Sequence, residues 1–291
     1  MITHQDWLQG ARRRRIFWQS WIPEQPSTVV VIAHGASEHS DRYRHVAEAL
    51  VAAGCAVYAL DHRGHGRSQG ARALIDRMGN AVADLATLIV LARSEQPVLP
   101  TYLLGHSMGG AVALSYAIRD QDHLAGLILS GPLAALEAAP AAQRLIARTL
   151  STLVPRLPLF AIDASQISRD PAVVAGYEQD PLVYHGKLPV RTVAELAAAI
   201  DSFPQHLPAI TIPTLTMYGT ADSLCPPEGS MLVHERISTS DKTLKPYEGL
   251  YHEIFNEPER QQVIDDVVAW LAARRGQLAD IQAGAADVVG G

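Results

Sequence analysis

Five short runs rich in valine, isoleucine and leucine, at residues 29–33, 56–60, 102–104, 127–129 and 215–218, are continuous rather than alternating. A strand can be apolar at every position only if both of its faces are covered, which is the situation of a parallel strand with crossover helices above and below. Segments between the runs supply such helices. Tyr43, Val46, Ala47 and Leu50 recur at helical spacing, as do Val82, Leu85, Leu88 and Ile89. The pattern predicts an α/β fold whose mostly parallel central sheet is flanked by helices.

The rhythm breaks between residues 132 and 206, where prolines at 132, 140, 155, 158, 171, 181, 189 and 204 punctuate short helical pieces with no clear buried strand. We read residues 1–131 as the first part of the core, 132–206 as an inserted helical cap and 207–275 as the second part of the core. The last helix is expected to start at Asn256, with Glu259 in capping-box position. Residues 276–291, rich in alanine and glycine, are expected to form a flexible tail. Ahead of the first core strand, Arg12 to Arg15 lead into an Ile16–Trp21 stretch of half-exposed strand character, read as a hairpin with solvated arginines.

Composition removes several function classes. The chain of 291 residues carries 24 Lys+Arg against 30 Asp+Glu, a net charge of −6, which opposes binding to a polyanionic nucleic acid. No apolar stretch is long enough to span a bilayer, and Gln19, Pro23, Glu24 and Pro26 interrupt any secretory core, so a cytoplasmic location is expected. Cys55 and Cys225 are too few for a disulfide framework and are expected to be reduced, buried thiols.

The chemistry is concentrated in Gly105-His106-Ser107-Met108-Gly109-Gly110, between the run at 102–104 and a helical segment. In that strand–turn–helix context glycines at 105 and 109 give steric room for a very sharp turn, at whose tip Ser107 is exposed as a nucleophile. A serine hydroxyl needs a base, and the base needs a carboxylate to fix its tautomer. Asp222 follows the run at 215–218 in a polar turn. His252 lies between a strand-like segment at 243–247 and the last helix. Asp163, Asp170, Asp180, Asp201 and Asp241 are not at strand ends and read as solvated surface acids; His234 falls within a helix. The oxyanion donors expected are the amides of Met108, after the nucleophile, and Ala36, after the strand at 29–33. Asp61 to Ser68 lacks the lysine of a phosphate loop, and no metal site is assigned to His34, His39, His62 and His65; a rigid turn beside the site is expected.

Four segments together, residues 34–43 (HGASEHSDRY), 61–68, 105–110 and 244–252, with Asp180-Pro181-Leu182 in the cap, resemble the monoacylglycerol lipases of the α/β-hydrolase superfamily. The resemblance covers nearly the whole chain except the tail. It implies the α/β-hydrolase fold and hydrolysis of a small lipid ester through an acyl-enzyme, without a cofactor. It also implies that Glu38, Arg42, His106 and Tyr177 bind the glycerol hydroxyls, each with a purely structural alternative. The cap would line an acyl channel, consistent with the apolar stripe Leu145, Ile146, Leu150, Leu153 and Val154. Leu157, Leu159 and Phe160 could equally meet a membrane peripherally or pack on the core. A carboxylesterase or lysophospholipase with the same triad is the alternative. A non-catalytic binding protein is disfavoured by the complete triad, and Ser107 argues against a dehalogenase, which would carry aspartate there.

Overall fold

The computed structural model describes residues 1–135 and 149–289, with side chains described through 275. Strands β1 (Ile2–Gln9) and β2 (Arg15–Ile22) form the expected N-terminal hairpin, pairing from Ile2 with Ile22 to Gln9 with Arg15. The hairpin loop exposes Arg12 and Arg13, both at positive φ. Then come β3 (Thr28–Ala33), β4 (Cys55–Leu60), β5 (Thr101–His106), β6 (Gly126–Ser130), β7 (Pro158–Phe160), β8 (Leu188–Pro189), β9 (Thr214–Gly219) and β10 (Lys242–Tyr247). Eight of these make one sheet in the order β1-β2-β4-β3-β5-β6-β9-β10, parallel from β4 to β10 and antiparallel at β1 and β2.

The strands are accompanied by helices α1 (Arg44–Ala52), α2 (Met78–Glu95), α3 (Met108–Asp120), α4 (Pro171–Gln179), α5 (Val190–His206), α6 (Pro227–Arg236) and α7 (Arg260–Val289), with short 3-10 turns between elements. The continuity of the strand runs has its cause in two separate cores. Val29, Val31 and Ala33 of β3 pack with Leu85 of α2 and Leu114 of α3, while Val30 and Ile32 pack with Leu50 of α1 and Val267 of α7. Each residue of β3 is fully buried because adjacent side chains leave on opposite faces, and both faces are covered.

Two expectations need correction. The last helix begins at Arg260, not Asn256; Glu257 precedes Pro258 and is held extended (ψ 162°), as the residue before a proline must be. The full extent of that helix is Arg260–Val289. Between β6 and β9, β7 ahead of α4 pairs antiparallel with β8, which leads into α5, in a stretch where no clear buried strand was expected. Leu145 and Ile146 of the proposed cap stripe lie outside the described residues. Leu153, Val154, Leu157, Leu159 and Phe160 are all exposed.

The Asp61–Ser68 turn is rigid for a visible reason. Asp61 accepts from the Ser40 and Arg67 amides, and Arg63, fully buried, pairs with Asp84 of α2 and Asp76. The acid that interrupts the apolar α2 segment is therefore a buried anchor for this turn, with its other bond reaching the Ala11 amide.

Candidate active site

The expected elbow is built as steric reasoning requires. Ser107 sits between the last residue of β5 and the first of α3 at φ 53°, ψ −120°, a conformation a side-chain-bearing residue adopts only when its surroundings impose it. A Cβ at Gly109 would lie 2.1 Å from the Ala33 carbonyl oxygen, and one at Gly105 would lie 2.7 Å from that of Gly109. Glycine at both positions lets α3 start directly against β3. Met108 is the first residue of α3, so its N–H has no acceptor within the helix; Ala36 is on the loop after β3, and both line the same cavity as Ser107.

Asp222 and His252 come from the loops after β9 and β10, neighbouring parallel strands, so 30 residues of sequence become one hydrogen bond. The His252 Nδ1–H donates to Asp222 Oδ2 at 2.7 Å, which leaves Nε2 free to take a proton. Asp222 Oδ1 accepts from the Leu224 and Cys225 amides, both at 2.9 Å. The Ser107 hydroxyl is 3.6 Å from Cys225 Sγ. Burial pushes the Cys225 thiol pKa well up, with Asp222 adding to the effect, so this buried cysteine is a protonated neighbour of the serine.

Burial alone would depress the His252 pKa, but the charge and hydrogen bond of Asp222, with Glu253 and Glu38 behind them, raise it above the ordinary 6.5. With His252 as the expected base, only its neutral imidazole would accept the serine proton, so lowering the pH through the His252 pKa would remove the active form. The acid limb of kcat/KM is expected to have a midpoint above 6.5. Rate measurements from pH 5 to 9 (about that range suffices for an imidazole) test this; a limb centred below the ordinary histidine value would show that Asp222 does not dominate the site.

Of the residues singled out by resemblance, Glu38, His106 and Tyr177 line the cavity, and Arg42 lies directly behind them. Glu38 accepts from the Gly35 amide at 2.5 Å, from Tyr43 at 2.7 Å and from Arg42 at 2.8 Å. The Arg42 guanidinium stands 4.9 Å over the Tyr177 ring. His106 bonds Ser130 O through Nδ1 at 2.9 Å and stacks near His252, ring centroids 4.6 Å apart; burial, with the neighbouring His252, pushes its pKa down to about 3. It is a neutral ring throughout the working range.

Asp180 departs from its expected role as a solvated acid: it is half-buried and pairs with His39 at 2.8 Å, joining the segment before β8 to the loop after β3. The residue missed in the sequence is Glu253. It is buried, lines the cavity, and takes a two-pronged bond from Arg42 at 2.5 and 2.7 Å. Its position next to His252 and before the apolar Ile254-Phe255 was the available signal. The rest of the cavity wall is apolar, including Leu133, Ile162, Ile167, Leu188, Leu196 and Leu224. Among the described residues no group of three or more His, Cys, Asp or Glu is arranged to hold a metal ion, and no helix is long and apolar enough to cross a membrane.

Comparison with known proteins agrees with this architecture. The family described as Serine aminopeptidase, S33 matches residues 24–259. A monoacylglycerol lipase of Mycolicibacterium smegmatis is 44% identical over 261 residues, covering 89% of this chain and 93% of that protein. The human monoglyceride lipase is 37% identical over 280 residues, covering 94% and 92%. The crystal structure of a Paleococcus ferrophilus monoacylglycerol lipase aligns with a TM-score of 0.80 at 31% identity, over 89% of this chain and 99% of that one. An elbow serine, a strand-end Asp–His pair and these similarities converge on one assignment: the chain is a hydrolase of the monoacylglycerol lipase family, in the α/β-hydrolase superfamily.

Proposed function

We propose that the protein cleaves monoacylglycerols to fatty acid and glycerol, with Ser107 as nucleophile, His252 as base and Asp222 as its orienting carboxylate. The observation that carries this reading is a single cavity of about 830 Å³, counting space open to solvent, that joins Ser107 to an apolar wall and to a cluster of buried polar groups. Ser107 Oγ attacks the ester carbonyl as His252 Nε2 takes its proton, and Asp222 stabilises the imidazolium. The Ala36 and Met108 amides, together with the positive end of α3, receive the oxyanion. Collapse releases glycerol, protonated by His252. Water activated by the same ring then frees the fatty acid. Glu38, His106 and Tyr177 hold the glycerol end, with Arg42 fixing Glu38 and Tyr177 from behind, and the apolar wall takes the chain.

The exposed Leu153, Val154, Leu157, Leu159 and Phe160 support contact of this edge with a lipid surface. Initial rates on monoacylglycerols of several chain lengths, against di- and triacylglycerols, lysophospholipid and a short p-nitrophenyl ester, test the substrate. Monoacylglycerol should be preferred by tenfold or more, a modest use of the roughly 1–3 kcal/mol that one well-placed group can supply. With vesicle-borne substrate, Leu153→Ser with Leu157→Ser should slow turnover. Activity confined to the short ester would keep the serine hydrolase and discard the lipase.

A further inference from the structure

The polar end of the cavity has an unusual charge balance. Glu38 and Glu253 both line it, whereas no lysine or arginine does so among the described residues. Arg42 is close, but its guanidinium is already spent. One Nη1 bonds Glu38 Oε2 at 2.8 Å and Glu253 Oε1 at 2.5 Å; Nη2 bonds Glu253 Oε2 at 2.7 Å, and the flat face covers Tyr177. Two carboxyl groups share one guanidinium in a place water does not screen, so Arg42 offers no free cationic edge to an anion.

The arrangement also leaves room for hydrogen-bond donors. A carboxylate offers about four lone-pair sites. Glu38 uses three, for Gly35, Tyr43 and Arg42, and Glu253 uses three, two for Arg42 and one for the Asn256 side chain at 2.8 Å. His106, with Nδ1 committed to Ser130 O, presents Nε2 as a further acceptor. A wall of this kind accepts hydroxyl groups and repels anionic oxygens. With Glu38 alone as partner, Arg42 would be a half-satisfied cation beside the reacting ester, a ready site for phosphate or carboxylate.

We propose that Glu253 determines the charge class of the alcohol released: by occupying Arg42 it converts a potential anion site into a hydroxyl-accepting wall, so esters of uncharged hydroxylic alcohols are taken and esters bearing an anionic headgroup are rejected. The inference rests on the reading above that the alcohol leaves on the Glu38–Glu253 side. The charge of Glu253 is secured by Arg42, which outweighs burial and holds its carboxyl below the usual range.

The test compares esters with one acyl chain and two headgroups, a monoacylglycerol and the corresponding 1-acylglycerol 3-phosphate. The parent enzyme should prefer the neutral ester by about a hundredfold or more in kcat/KM, and Glu253→Gln should reduce that ratio at least about tenfold, as expected for opening a buried charge contact. The variant should also move the acid limb to lower pH, since Glu253 faces His252 together with Asp222, Glu38 and His106 and helps to raise its pKa. A ratio within about twofold of the parent's in a folded Glu253→Gln protein would overturn the proposal.

A second measurement needs no variant: inhibition of the parent by free glycerol and by glycerol 3-phosphate. Stronger inhibition by glycerol is expected, and stronger inhibition by the phosphate would overturn the proposal. A matched pair of neutral and sulfonated phenyl esters separates this inference from the lipase reading. Preference for the neutral phenyl ester without turnover of monoacylglycerol would sustain charge selection while the lipase reading fails. Good turnover of monoacylglycerol with equal use of the phosphate ester would do the reverse.

Discussion

Ser107→Ala is expected to lower kcat by about 10⁴-fold or more, leaving only what oxyanion donors and binding contribute. His252→Ala should do as much, and Asp222→Asn somewhat less. The argument for Asp222 is tautomeric. The carboxylate accepts from Nδ1, so Nε2 is free for the serine proton; an asparagine amide can offer a donor to Nδ1 instead and reverse the ring's protonation. Losses from the three variants should not add, because each disables the same proton transfer. Single-turnover kinetics with thermal unfolding alongside checks this. A fully active, folded Asp222→Asn enzyme would mean that another carboxylate orients His252, and the triad proposed here would have to be redrawn.

Gly109→Ala is the second large effect, and its origin is purely steric. The added methyl would sit 2.1 Å from the Ala33 carbonyl oxygen and 2.4 Å from that of His34, both backbone atoms at the end of β3. Neither can turn aside as a side-chain tip would, so α3 must move off the sheet. Its first residue is Met108 and the displaced strand leads into Ala36, so one methyl separates the two proposed oxyanion donors. Overpacking of this kind costs about 1–3 kcal/mol, and misplacing one donor about 10²-fold in kcat. Gly79→Ala on α2 is the control, because nothing lies within 4 Å of its Cβ; it should keep full activity. Denaturant unfolding and initial rates on the two variants decide the matter. Parent-like stability and kcat in Gly109→Ala would show that the elbow relaxes more freely than this packing implies.

What could be read without coordinates has local physical causes. β3, β4, β5, β6 and β9 were legible because strands covered on both faces are mostly apolar, with few polar residues, such as the buried Thr28 and Thr216, among them. The elbow was legible because a turn that sharp tolerates only glycine at residues 105 and 109. What misled was local too. Glu259 resembled a capping partner for Asn256, but Pro258 holds Glu257 extended and postpones α7 to Arg260. The β7–β8 pair was invisible because its strands are two and three residues long and include Pro158 and Pro189.

By itself, then, the sequence determined the α/β architecture, the sharp turn at Ser107 and the strand-end positions of Asp222 and His252, because steric room, two-sided burial and strand-end position leave marks within a few residues. Only the tertiary structure decided how the polar end of the cavity is charged. Arg42 and Glu253 are 211 residues apart and meet because the loops after β3 and β10 leave from the same, carboxyl-terminal, end of the parallel strands. Neither residue's neighbours reveal that both are buried or that they neutralise each other. A charge changes its meaning with its partner and its solvent exposure, and both are set by chain segments that come together only in the folded protein.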